Sequence, residues 1–183
     1  MAITIVFALD VAALFVLLAG GIWSIARPER RLWPPPARRS WQFALTWVCF
    51  GAALLCNVLL ILLDWNTWLL HEPVRLLLGV PLSVVGALAV AWGYMTLGRA
   101  NTSGLSEGFV RSGPYRFTRN PQYLGDIALF IGLSLIANSL YLWVTHGLLI
   151  LVFILTPLAE ESWLEEQYGQ RYRDYRRDTP RWL

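Results

Sequence analysis

Long apolar runs alternate with short polar segments along the whole chain. The runs cover about Ile3–Ile25, Trp41–Leu63, Val74–Leu97, Tyr123–Ile136 and Leu140–Leu158. Four of them approach the roughly 20 residues that a membrane-crossing helix needs. The fourth run is shorter, and the pattern does not fix whether its helix crosses fully. Turn-like residues Asn138 and Ser139 separate it from the fifth, which predicts a tight helical hairpin. The expectation is an all-α integral membrane protein with about five transmembrane helices and a C-terminal cytosolic helix.

The polar segments carry their own signals. The first, "ARPERRLWPPPARRSW", contains three consecutive prolines, Pro34–Pro36. They exclude a continuous helix and favour an extended chain. The second, "DWNTWLLHEP", holds tryptophans of the kind that sit at a membrane interface. The third is long, Gly98–Gln122. The tail "EESWLEEQYGQRYRDYRRDTPRWL" reads as helical to about Asp178, before Pro180. The opening "MAITIVFALD" lacks a basic leader and a small-residue cleavage site, so it reads as a first spanning helix. One domain is expected over 1–183. Residues 1–97 would supply three helices, and 98–183 a loop, a hairpin and the C-terminal helix.

Composition supports this picture. The 183 residues are 56% hydrophobic and 15% charged, whereas soluble domains carry nearer a quarter charged residues. The net charge of +3 rests on arginine alone. Arg27, Arg30, Arg31, Arg38 and Arg39 lie in the first polar segment, and Arg99, Arg111, Arg116 and Arg119 in the third. Arg171, Arg173, Arg176, Arg177 and Arg181 lie in the tail, and Arg75 stands apart. Arginines that flank apolar runs read as orientation signals and headgroup contacts, not as a nucleic-acid surface. No nucleic-acid partner is expected. Five crossings place all three basic segments on one side, with the N-terminus outside and the C-terminus cytoplasmic. A multi-pass protein of a prokaryotic inner membrane is the expected localisation.

Cys49 and Cys56 fall seven residues apart in one run. That is about 10.5 Å along a helix, beyond disulfide reach. His71 and His146 have no Cys or carboxylate at ligand spacing, so no metal site is expected.

Two stretches at the basic face carry more than orientation. One is "GPYRFTRNPQYLG", Gly113–Gly125. The other, "EESWLEEQYGQRYRDY", begins at Glu160 and leads to "TPRW". Together, in this order and flanking a hydrophobic hairpin, they resemble the isoprenylcysteine carboxyl methyltransferase and phospholipid methyltransferase family. The resemblance covers roughly residues 95–183. It implies an integral membrane enzyme that uses S-adenosylmethionine and takes a lipophilic small molecule or lipid as substrate. The acceptor would be an isoprenylcysteine-like carboxylate, a phospholipid amine or a small thiol. The implied cofactor-binding residues are Tyr115, Arg119, Asn120, Pro121, Tyr123, Gly125, Glu160 and Glu161. Many members have Arg-His-Pro where this chain has Arg119-Asn120-Pro121. Asn cannot be protonated like His, so a proton-transfer role does not carry over.

The residue types suit that cofactor. Arg119 can pair with its carboxylate. Glu160 or Glu161 can accept from its ammonium or ribose. Tyr115 or Tyr123 can pack on adenine or face the sulfonium. Pro121 suits a first helical position, and Gly125 permits close approach of a ligand or a helix. Arg119, Glu161 and Asp126 are the candidate catalytic residues. Asp126 is a carboxylate at membrane depth and should face a cavity or a partner.

Structural roles compete for several of these. Thr156 and Pro157 can begin a helix whose first turn holds the Glu pair, or Pro157 can kink the fifth helix. Glu161, Leu164, Tyr168, Tyr172 and Tyr175 have the spacing of one helical face and can seat the tail on the hairpin. Asp10 and Asn57 read as packing or interface residues. "RFTRNPQYLGD" also resembles sterol and steroid reductases, which use NADPH. The Glu pair and the Tyr-x-x-Tyr tail favour the methyltransferase. A non-catalytic membrane protein of the same fold is the third alternative.

Overall fold

The computed structural model describes residues 1–183 and contains helices and no strand. The helices are α1 (Ala2–Ala26), α2 (Trp41–Leu63), α3 (Glu72–Leu97), α4 (Arg99–Thr102), α5 (Pro121–Ala137), α6 (Leu140–Tyr168) and α7 (Gln170–Asp178). Four of them, α1, α2, α3 and α6, are long and apolar enough to cross a membrane, and α5 is a shorter apolar helix. The outward faces are apolar: Leu62 is 74% exposed, Leu77 71% and Val48 68%. Polar side chains sit inside instead. Asp10 is wholly buried and accepts from Asn57 Nδ2 at 2.8 Å, which is the packing alternative for both and not the interfacial one. An apolar exterior around a partly polar interior suits lipid as the surrounding solvent.

Local chemistry sets the helix ends. Ser40 accepts from Phe43 N at 3.1 Å and caps α2. Pro121 takes the first position of α5. The hairpin turn is Asn138 in the left-handed region (φ 48°, ψ 52°), followed by Ser139, whose hydroxyl caps α6. Asn138 also gathers the α2–α3 link. Its Nδ2 donates to Asn66 Oδ1 and to the carbonyls of Trp68 and Leu70, and its Oδ1 accepts from Leu70 N.

This knot settles how far α5 runs. Its last turn meets the α2–α3 link, while its first turn begins beside Gly93 near the end of α3. It therefore runs antiparallel to α3, from the level of Gly93 to the α2–α3 link. The pair comes close because glycines face each other. A Cβ on Gly125 would stand 2.7 Å from Val90 N and 2.9 Å from Gly86 O. Arg75, the arginine apart from the basic segments, is buried at the far end. It pairs with Glu72 at 2.9 Å and donates to Ile136 O.

Two expectations need correction. α6 runs unbroken through Pro157, so Thr156 does not cap a helix there. Its hydroxyl instead bonds back to Val152 O at 2.7 Å, as a mid-helix Thr does. Nor do Glu161, Leu164, Tyr168, Tyr172 and Tyr175 share one helix. Gly169 (φ 53°, ψ −125°) separates α6 from α7 in a backbone conformation that only glycine adopts readily.

The three arginine-rich segments meet at one end of the bundle, as the charge pattern predicts. Arg31 pairs with Glu166 at 3.0 Å, and Arg119 N donates to Pro180 O at 2.9 Å.

Candidate functional site

The site forms where the loop before α5, the last turns of α6 and the tail converge. A short 3-10 turn, Gly113–Arg116, leads into the loop. Residues 118–120 are then stitched to the tail. Arg119 N donates to Pro180 O, while Thr118 Oγ1 and Asn120 Nδ2 both donate to Arg181 O at 3.0 Å. Asn120 thus acts as a neutral donor that holds the tail, a task with no protonation step.

The two adjacent carboxylates have different partners. Successive helical residues point about 100° apart. Glu161 faces two arginines: Arg119 Nη1 at 2.9 Å, and Arg181 in a bidentate pair at 2.7 and 2.8 Å. Such forks are the stronger kind of ion pair. Arg119 also donates to Tyr172 Oη at 3.3 Å, and its Nε has no partner. Glu160 meets no cation. Its Oε1 accepts from Trp33 Nε1 at 2.8 Å and from Tyr123 Oη at 2.7 Å.

Outside the spanning segments, burial pushes the Tyr172 hydroxyl up to about 12, with the nearby Glu161 adding to the shift. Burial also raises Tyr115 and Tyr175, whose hydroxyl donates to Tyr115 O. These phenols stay neutral donors. The hydrogen bond to Glu161 raises Arg181, which keeps its charge.

Two cavities adjoin here. A cleft of about 130 Å³ is reached by the charged groups of Arg119, Glu160 and Glu161 and lined also by Tyr115, with Phe109 and Tyr168 among its aromatic walls. Phe109 packs against Tyr168, Tyr172 and Tyr175, with centroids 5.0, 6.4 and 5.6 Å apart. The tyrosines therefore seat the tail and wall the cleft together. A larger, mostly apolar cavity of about 400 Å³ lies deeper, lined by Trp33, Trp47, Phe50, Phe130 and Phe153. Asp126 faces this second cavity. Thr102, Gln122 and Tyr123 border both.

Of the residues singled out by sequence, Tyr115, Arg119, Asn120, Tyr123, Glu160 and Glu161 come together around the cleft. Pro121 starts α5, Gly125 packs on α3, and Asp126 stands in the neighbouring cavity. Three residues escaped sequence reasoning. Arg181 had a signal in the "TPRW" motif, and Phe109 had none. Trp33 read as one more interfacial tryptophan.

A family model described as phospholipid methyltransferase matches residues 74–171, just over half of the chain. The chain belongs to the phospholipid methyltransferase family. No curated protein and no solved structure matches it. The family segment runs from α3 into α7 and includes the loop, the hairpin and both glutamates. Trp33 and Arg181 reach the site from outside it. Family membership and the apolar helices together support a membrane methyltransferase.

Proposed function

We propose that this phospholipid methyltransferase family member uses S-adenosylmethionine to methylate a lipophilic acceptor, and that the acceptor is an amine. The observation that carries the reading is the meeting of a charged cleft and an apolar cavity at Tyr123.

The cleft fits a zwitterionic cofactor. Arg119 and Arg181 share the single carboxylate of Glu161, which leaves a net positive cluster with the Arg119 Nε unpartnered. That side suits a carboxylate. Glu160 has only neutral donors, so it suits a cation. Phe109, Tyr115 and Tyr168 offer flat surface for a nucleobase. S-adenosylmethionine supplies a methyl group already activated on a sulfonium.

The chain's own task is then mainly alignment. Tyr123 closes the boundary between the compartments, and the aromatic cavity excludes water from an apolar tail. Asp126 distinguishes the acceptors. A carboxylate acceptor would meet a like charge in an apolar cavity. An ammonium would be paired there, and Asp126 would take its proton to free the attacking lone pair.

Two measurements on detergent-purified protein test this. Calorimetry should show binding of S-adenosylhomocysteine and none of NADPH; NADPH binding alone would overturn the reading. Labelled methyl transfer should run into amine-bearing phospholipid in preference to a prenylcysteine carboxylate or a small thiol. Asp126→Asn should slow that transfer by about 100-fold, the scale of a lost proton acceptor, with S-adenosylhomocysteine affinity held. Undiminished transfer by the variant would remove Asp126 from the chemistry.

A further inference from the structure

The first connecting loop lies outside the family segment, yet it reaches the centre of the site. Its course is pinned at several points. Ser24 Oγ donates to Gly20 O at 2.7 Å and accepts from Leu32 N and Trp33 N at 2.9 and 3.0 Å. Trp23 Nε1 donates to Arg30 O at 3.0 Å. Arg31 ties the loop to Glu166 on α6 at 3.0 Å. The backbone at Gly104 closes over Trp33 and Pro35; a Cβ there would stand 2.8 Å from each side chain. The indole that results from this pinning has two faces of work. Its ring walls the apolar cavity and packs edge-on to Trp47, 6.4 Å between centroids. Its Nε1–H donates to Glu160 Oε1 at 2.8 Å.

Tyr123 repeats the arrangement from the opposite side. Its ring lies 6.1 Å from Phe153, also on the cavity wall, and its hydroxyl meets the same Glu160 oxygen at 2.7 Å. Two aromatic residues thus turn their rings to one compartment and their polar tips to the other. Both tips converge on one oxygen of a carboxylate that has no cationic partner. Two donors on one oxygen fix the carboxylate's rotamer and leave its second oxygen for the cleft.

We propose that Trp33 is a positioning residue: it holds the Glu160 carboxylate at the boundary between cleft and cavity, oriented toward the cationic part of the cofactor. This rests on the cofactor reading above. Trp33 acts through Glu160 and does not itself touch the cofactor. A merely structural tryptophan would influence folding but would be indifferent to the identity of residue 160.

The test is a double-mutant cycle on the full chain in detergent, with S-adenosylhomocysteine as the titrant. Trp33→Phe keeps an aromatic ring and removes the donor. It should weaken binding about tenfold or somewhat more, the lower end of the scale of one hydrogen bond to a charged group. In a Glu160→Gln background the same substitution should add less than about twofold, since the group it positions has changed. In turnover, Trp33→Phe should raise the cofactor KM more than it lowers kcat. Ser24→Ala provides a second route, because it unpins the Trp33 backbone and leaves the indole intact. It should weaken binding in the same direction and lose that effect in Glu160→Gln, and it serves if Trp33→Phe does not fold. Equal effects of the loop variants in both backgrounds, or unchanged affinity in both variants, would overturn the role of Trp33 while the wild-type chain still binds. Failure of the wild-type chain to bind S-adenosylhomocysteine would instead overturn the cofactor reading, and this inference with it.

Discussion

Glu160 and Glu161 are neighbours in sequence and opposites in environment. Glu161 pairs with two arginines at a partly buried junction, and Glu160 is held by an indole and a phenol. Their substitutions should therefore separate stability from binding. Glu161→Gln leaves Arg119 and Arg181 facing each other without a counter-charge. It should cost about 3 kcal/mol, the scale of removing one partner from a buried pair, seen as a lower thermal midpoint in detergent. Glu160→Gln keeps an acceptor for both donors and should leave the midpoint nearly unchanged while S-adenosylhomocysteine affinity falls. A midpoint lowered equally by both variants would contradict the division of roles. The sequence motif placed both acids at the site but gave them interchangeable roles. Adjacency cannot say which of two residues about 100° apart on a helix meets the arginines. Arg181 makes that choice from twenty residues further along the chain. Asn120 shows the opposite case: its departure from the frequent His was legible, and its hydrogen bond to the tail was not.

At the scale of elements, the apolar runs located the main helices well, because a run long enough to cross a membrane has few other uses. They were silent on which faces meet, since lipid-facing and core-facing residues are equally apolar in such a helix. A finer signal was present. Gly79, Gly86 and Gly93 on α3 recur every seven residues, as do Gly125 and Gly132 on α5, and these stripes form the α3–α5 contact. Gly86→Ala would place a methyl against the backbone of Leu129 and Gly125. The helices would have to part, at about 1–3 kcal/mol for an overpacked contact. The expected result is a lower thermal midpoint for Gly86→Ala and an unchanged or slightly higher one for Gly51→Ala, whose Cβ would meet open space inside a helix where alanine is the better helix former. Equal midpoints for the two would argue against close glycine packing. The run pattern also stopped the fifth helix at Leu158, because the charged residues that follow read as a separate tail. In the fold α6 carries them on to Tyr168.

For the whole molecule, the arginine distribution predicted which segments would share an end, and the fold groups them in that way. Membrane orientation follows as an expectation from the same charges. Single cysteines at exposed positions check it, in a background where Cys49 and Cys56 are replaced. Arg38→Cys and Arg177→Cys should react with an impermeant maleimide only in inverted vesicles. Leu69→Cys, in the α2–α3 link and 76% exposed, should react only in right-side-out vesicles. Labelling of Arg38→Cys and Arg177→Cys from opposite sides would reject the five-crossing topology.

The stitch between residues 118–120 and Pro180–Arg181 joins positions about sixty residues apart in the chain. The carbonyls that hold Arg119 and Asn120, and the second arginine on Glu161, all come from beyond α7, outside the long apolar helices. One wall of the cleft is therefore fastened only by hydrogen bonds and an ion pair, whereas the walls opposite are built on helices that lipid itself would hold in place.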